Sequence, residues 1–157
     1  MNRKLLATLT LLTPLFFTGS VNAANPQHIE QLLSTGECFR CDLSGADLSN
    51  TNLIGADLRE ANLTGANLTG ANLEGADLTN ANLVRANLTS AFLTNVDFKQ
   101  ANLDEANLSQ ATIYDSNVYR ASMNNLNIAD ADIFNTAIGI GGEDGEEIPD
   151  WNQQVSP

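Results

Sequence analysis

From Leu43 onward a large apolar residue recurs every five positions, and this period constrains the fold more than any other feature of the chain. The series runs Leu48, Leu53, Leu58, Leu63, Leu68, Leu73, Leu78, Leu83, Leu88 and Leu93. It continues through Phe98, Leu103, Leu108, Ile113, Val118, Met123, Ile128, Ile133 and Ile138, twenty units without a slip. Two residues before each stands a small residue, usually Ala; Leu126 and, more mildly, Val96 depart from this. Asn or Asp lies between the two in sixteen of the twenty. A period of five matches neither a straight helix nor a straight strand. Within a unit, however, the small and large residues are two apart, and residues two apart on extended chain face the same way. Each unit therefore supplies a short extended piece with two inward side chains, followed by a corner. Gly45, Gly55, Gly65, Gly70 and Gly75 fall at corner positions suited to positive φ. A chain that turns a corner every five residues can close into a square coil of four units, and stacked coils would pair at about 4.8 Å. Five coils would make a filled rod about 24 Å long.

The pattern A-[DN]-L-x-x, held in one register over about a hundred residues, resembles the pentapeptide-repeat family. The entry segment Leu32-Leu33-Ser34-Thr35 … Cys38-Phe39-Arg40-Cys41-Asp42-Leu43 is similar to that of cyanobacterial members, including exported ones. The resemblance implies an all-β, right-handed quadrilateral β-helix, and a periplasmic or thylakoid-lumenal home. Handedness and square closure come from the resemblance, not from the periodicity.

The start of the chain reads as a signal peptide, residues 1–23. Arg3 and Lys4 precede a mainly apolar run from Leu5 to Phe17, and Gly19-Ser20-Val21-Asn22-Ala23 offers small residues before a cut. The run is short for a span and Pro14 interrupts it, so no membrane insertion is expected after cleavage. Cleavage would remove two of seven Lys and Arg and none of nineteen Asp and Glu, leaving five bases against nineteen acids and a net charge of −14. Such a surface repels phosphate, so no nucleic-acid partner is expected.

Residues 24–37 read as a capping helix, with Asn25 as N-cap, Pro26 at the first position, and Ile29, Leu32 and Leu33 as the apolar face. His28 is expected to be a solvated helix residue. Residues 38–140 form the repeat domain and 141–157 an acidic, flexible tail. Ile148 and Trp151 are candidates to fold back over the last coil.

Placing residues twenty apart on one face makes two faces distinctive. One gathers Ile54, Phe92, Tyr114 and Phe134 at outward positions usually held by Asn, Thr or Ser, and is the candidate partner-binding face. Its simpler reading is Tyr114 stacking on Phe134. The next gathers the bases Arg40, Arg59, Lys99 and Arg120 beside Asp57, Asp77 and Asp97. A divalent ion on these acids is an alternative to charge offset, but no metal site is assigned. Cys38 and Cys41 are read as a disulfide, with reduced core thiols and a redox-active CxxC as alternatives. The Asn-Leu-Thr triplets at Asn62, Asn67 and Asn87 are expected to support turns rather than carry glycans.

No Ser-His-Asp set is evident, and the carboxylates follow the repeat rather than a pocket, so neither enzymatic activity nor a cofactor is expected. The favoured function is an exported interaction or scaffold module with an unknown protein partner. The alternatives are a redox- or metal-linked lumenal protein using Cys38 and Cys41, and, further off, a DNA mimic inhibiting a topoisomerase, an activity of some pentapeptide-repeat proteins.

Overall fold

The computed structural model describes residues 24–136. The expected signal peptide (1–23), Ile138 with the end of the expected repeat domain, and the expected tail with Ile148 and Trp151 lie outside the described residues. Parallel bridges join each residue before a core residue to its counterpart twenty positions on, from Glu37↔Asp57 through Asn107↔Asn127. Four units thus make one coil, and the described repeats make five coils, 37–56, 57–76, 77–96, 97–116 and 117–136. Two short strands, β1 (Thr112–Tyr114) and β2 (Asp132–Phe134), pair in the same parallel register.

Three backbone hydrogen bonds per unit hold neighbouring coils, one of them from the corner residue (Gly65 N–H to the Val84 carbonyl, 2.9 Å). The N–H of a core residue donates to the next coil (Leu63 to the Asn82 carbonyl, 2.7 Å), and the preceding residue donates back (Asn62 to the Cys41 carbonyl, 2.8 Å). The side chain of that preceding Asn or Asp then fixes the corner. Asn62 Oδ1 accepts from the Thr64 N–H at 3.2 Å and from its hydroxyl at 2.7 Å, and Asn67 and Asn87 repeat this. The Asn-Leu-Thr triplets are turn supports, as expected.

Every corner places its second residue in the left-handed region. Five of these residues are the glycines expected there; the others include Arg40, Glu60, Arg85 and Gln100, with φ near 58°. None is β-branched, for which that conformation is a true outlier. The chain accepts a modest backbone cost at each such corner in exchange for an uninterrupted core.

That core is two alternating sets of side chains. The Leu residues from Leu58 to Leu88 are fully buried, and the Ala residues from Ala56 to Ala91 almost so. At roughly 25 cal/mol per Å² of apolar surface, this burial is the main stabilising term.

The helix α1 (Pro26–Thr35) covers the first coil. Asn25 is its N-cap, accepting from the Gln27 N–H, and Gly36 closes it at φ 75°. Leu32 is buried and Ile29 packs on the core, but Leu33 is 53% exposed and belongs to the outer face, contrary to expectation. His28 is also not a solvated bystander. It is half-buried, and its Nδ1 accepts from the Asp42 N–H at 2.9 Å. The Asp42 carbonyl accepts from the Asn25 N–H at 3.2 Å, and the Glu37 carbonyl from the Gln31 side chain at 2.7 Å. The helix therefore supplies partners to a coil edge that has no preceding coil. Among the described residues no helix is long and apolar enough to cross a membrane.

Candidate functional site

The aromatic face occupies coils three to five. Tyr114 and Phe134 stand one coil apart, with ring centroids 6.1 Å apart and planes at 81°, an edge-to-face contact. The Tyr114 hydroxyl donates to the Asp132 carboxylate, and this bond is the main reason the phenol titrates above its ordinary value. Phe134 remains 62% exposed and Phe92 53%. Phe92 occupies the neighbouring column, where its backbone pairs with Asn72 and Thr112. Ile54, although exposed, stands three coils from Tyr114 with Glu74 and Thr94 between. The structure thus joins Tyr114 to Phe134, places Phe92 one coil earlier, and leaves Ile54 apart.

The corner beside this face differs from the others. At most corners the N–H of the small residue donates directly to the core carbonyl three back, as from Ala56 to Leu53 at 3.1 Å and from Ala76 to Leu73 at 2.9 Å. At 93–96 a hydroxyl from the next coil stands between them. Ser116 Oγ accepts from the Val96 N–H at 3.2 Å and donates to the Leu93 carbonyl at 2.5 Å. One coil on, Thr136 Oγ1 accepts from the Ser116 N–H at 3.0 Å and lies 3.4 Å from the Ile113 carbonyl. Up this column the small residues are Ala56, Ala76, Val96, Ser116 and Thr136. Its upper members are bulkier or carry a hydroxyl, and the corner opens where they begin. One coil on, β1 runs into the corresponding corner at 113–116 beside its pairing with β2.

The face bearing the bases is mixed in charge. Arg40 meets Glu60 at 2.7 Å. Arg59 makes two bonds to Asp57, at 2.8 and 2.6 Å, and lies 3.8 Å from Asp77. These contacts hold the Asp57 carboxyl below its ordinary value and raise the guanidinium further. Arg59 therefore offsets the lower part of the acid ladder, as expected. Among the described residues no group of three or more His, Cys, Asp or Glu is placed to hold a metal ion. Lys99 and Arg120 have no ion-pair partner among the described residues.

Two exposed aromatics on this face escaped the sequence reading. Arg40 and Arg59 lie over the Phe39 ring, at 4.8 and 5.6 Å, and Arg120 over Tyr119 at 5.2 Å. Both occupy the outward position after a core residue, the register that singled out Tyr114 and Phe134, so the same rule would have found them.

The sulfurs of Cys38 and Cys41 are 2.07 Å apart, at bonding distance. They span the first corner, where the Cys41 N–H donates to the Cys38 carbonyl at 3.1 Å. Both residues are buried, beneath α1 and within the core. Thiol–disulfide exchange needs access to a sulfur, which this placement withholds.

The family described as pentapeptide repeats matches residues 41–80, 81–118 and 101–136. Among solved structures, the chain is similar to a pentapeptide repeat protein, Rfr23, from the cyanobacterium Cyanothece 51142. Identity is 27%, coverage 70% of this chain and 96% of that one, and the TM-score 0.59. It is 32% identical to a pentapeptide repeat protein of the Arabidopsis thaliana thylakoid lumen, covering 69% of this chain and 66% of that one at a TM-score of 0.47. QnrB1, a plasmid-mediated fluoroquinolone resistance protein, is 22% identical over 69% of this chain and 74% of its own, with a TM-score of 0.34. No curated protein matches the chain. The family and its solved members imply the right-handed quadrilateral β-helix for the five coils.

Proposed function

The chain belongs to the pentapeptide-repeat family, and from that premise we propose that it is an exported, non-enzymatic module that binds a protein partner through the aromatic face of coils three to five. The observation carrying this reading is the exposure of Phe92 and Phe134 beside Tyr114 in three successive coils. Exposed aromatics on a rigid frame bring large contact area at little entropic cost, which is what interface anchors require. Asp115 and Asp132 border the pair and favour a partner that sets cations beside its apolar contact. Export rests on residues 3–23, and the compartment is the periplasm or the thylakoid lumen. The buried position of Cys38 and Cys41 favours a structural bond over the redox alternative.

The test is affinity capture from the protein's own exported fraction, comparing the mature chain with a Tyr114→Ala/Phe134→Ala variant of unchanged far-UV circular dichroism. A partner retained by the wild type and lost by the variant supports the reading. Equal retention by both overturns the assignment to this face, and the aromatics are then stacking residues only.

A further inference from the structure

The two ends of the rod differ. At the N-terminal end α1 meets the exposed edge, satisfying Asp42 and Glu37 and burying Leu32. At the other end the core opens outward. Met123, Leu126 and Ile133 are only partly buried, and Ile128 is 36% exposed, whereas their counterparts two coils earlier, Leu83, Ala86, Leu93 and Leu88, are buried. In the repeat register the N–H groups of Met123, Ile128 and Ile133 point where a sixth coil would accept them, and among the described residues they donate to nothing. An open β edge with an apolar floor needs a cover.

We propose that this end is a docking surface for the chain's own residues 137–157, with Ile148 and Trp151 seated on Met123, Leu126 and Ile128. The proposal is independent of the aromatic-face reading. Three observations select this occupant. First, the segment follows directly in sequence on Thr136, the last residue of the fifth coil. Second, it has the reach and the side chains. Ile148 follows Thr136 by twelve residues, which at about 3.3 Å each exceeds the width of a coil whose sides are five residues long. Third, the charges match. Glu143, Asp144, Glu146 and Glu147 precede Ile148 and Trp151. Arg120, in the last coil, and Lys99, one coil below it, share the face that follows that of Thr136 in the repeat register of the described coils. They are the two bases left without an ion-pair partner among the described residues. In the proposed arrangement the acidic run would face these bases while the two apolar residues sit on Met123, Leu126 and Ile128.

Trp151 is the chain's single tryptophan, so its fluorescence reports on this contact alone. The measurement is emission and acrylamide quenching of the full mature chain, over a series of protein concentrations. A blue-shifted emission, quenched several-fold less than a peptide of residues 137–157 and independent of concentration, is the expected result. Ile128→Glu, at an already exposed position, should shift the emission to the red and restore quenching, and Arg120→Glu should do so partly. Ile54→Glu, on a remote coil, should change neither. A wild-type indole quenched as freely as the peptide overturns the proposal, and that result needs no variant to fold. Protection appearing only as concentration rises overturns it too, because a second copy then covers the end.

Discussion

Ser116→Ala tests whether the opened corner beside the aromatic face is held by one hydroxyl. Ser116 Oγ serves two backbone groups, the Val96 N–H at 3.2 Å and the Leu93 carbonyl at 2.5 Å, and the residue itself is buried. Removing the oxygen leaves one donor and one acceptor without partners. Each buried unsatisfied group costs about 1–3 kcal/mol, and partial relaxation brings the expected loss to about 2–4 kcal/mol. Ser116→Thr keeps the hydroxyl, as Thr136 does one coil later, and should cost less. The assay is urea denaturation followed by far-UV circular dichroism, with an unchanged slope confirming that stability alone has moved. Hydrogen exchange should quicken at the Val96 amide in the Ala variant. A loss below about 0.5 kcal/mol would falsify the reasoning. The corner would then have closed by itself, with Val96 donating to Leu93 as Ala76 donates to Leu73, and the hydroxyl would be incidental.

Three further outcomes follow from the frame. Leu88→Ala, at a fully buried site, should cost about 3–4 kcal/mol by the same urea assay, whereas Ile128→Ala at the open end should cost far less. Gln100 sits at φ 58° with no side-chain bond among the described residues. Gln100→Gly should raise stability by up to about 1 kcal/mol through relief of the left-handed backbone, and Gln100→Val should lower it. Asp42, Asp47, Asp57 and Asp104 are held below their ordinary pKa, the first two chiefly by Ser44 and Ser49, Asp57 by Arg59, and Asp104 by Ser122. A depressed carboxylate pKa contributes stability that is fully present above the unfolded value and lost as pH falls through the folded one. Thermal melts should therefore weaken below about pH 4, and Asp104→Asn should flatten part of that dependence.

The parts legible in the sequence are those that repeat. A Leu every five residues with an Ala two before it states which side chains face inward, and the coil follows once four units close a turn. The Asn-Leu-Thr triplets were readable as turns for the same reason. His28 was not readable, because the Asp42 N–H it serves lies fourteen residues away and belongs to an edge that exists only once the first coil has formed. Leu33 was misplaced because helical spacing alone does not say which of two adjacent leucines meets the core.

The opened corner shows a second limit on what can be read. Val96, Ser116 and Thr136 each look like mild substitutions within their own units. Only their stacking at intervals of twenty makes them one column, and only in that column can a hydroxyl from one coil enter the turn of the coil before. The same interval aligns Phe92 with Thr112 and Asp132, where Asn would otherwise support the turn, and sets Tyr114 against Phe134. One group of departures from the repeat therefore shares a vertical edge of the rod, in its last three coils, where the turn is wedged open and Phe92 and Phe134 are exposed. Ile54, Phe39 and Tyr119 stand apart from it, the last two beside arginines on the basic face. A sequence selected only for stability would keep Ala and Asn there, as the first two coils largely do. The wedge costs a direct turn bond at each level and leaves large apolar side chains in water, and neither change improves the core. An edge altered at successive coils with no gain to the core is the physical reason to seek the partner there.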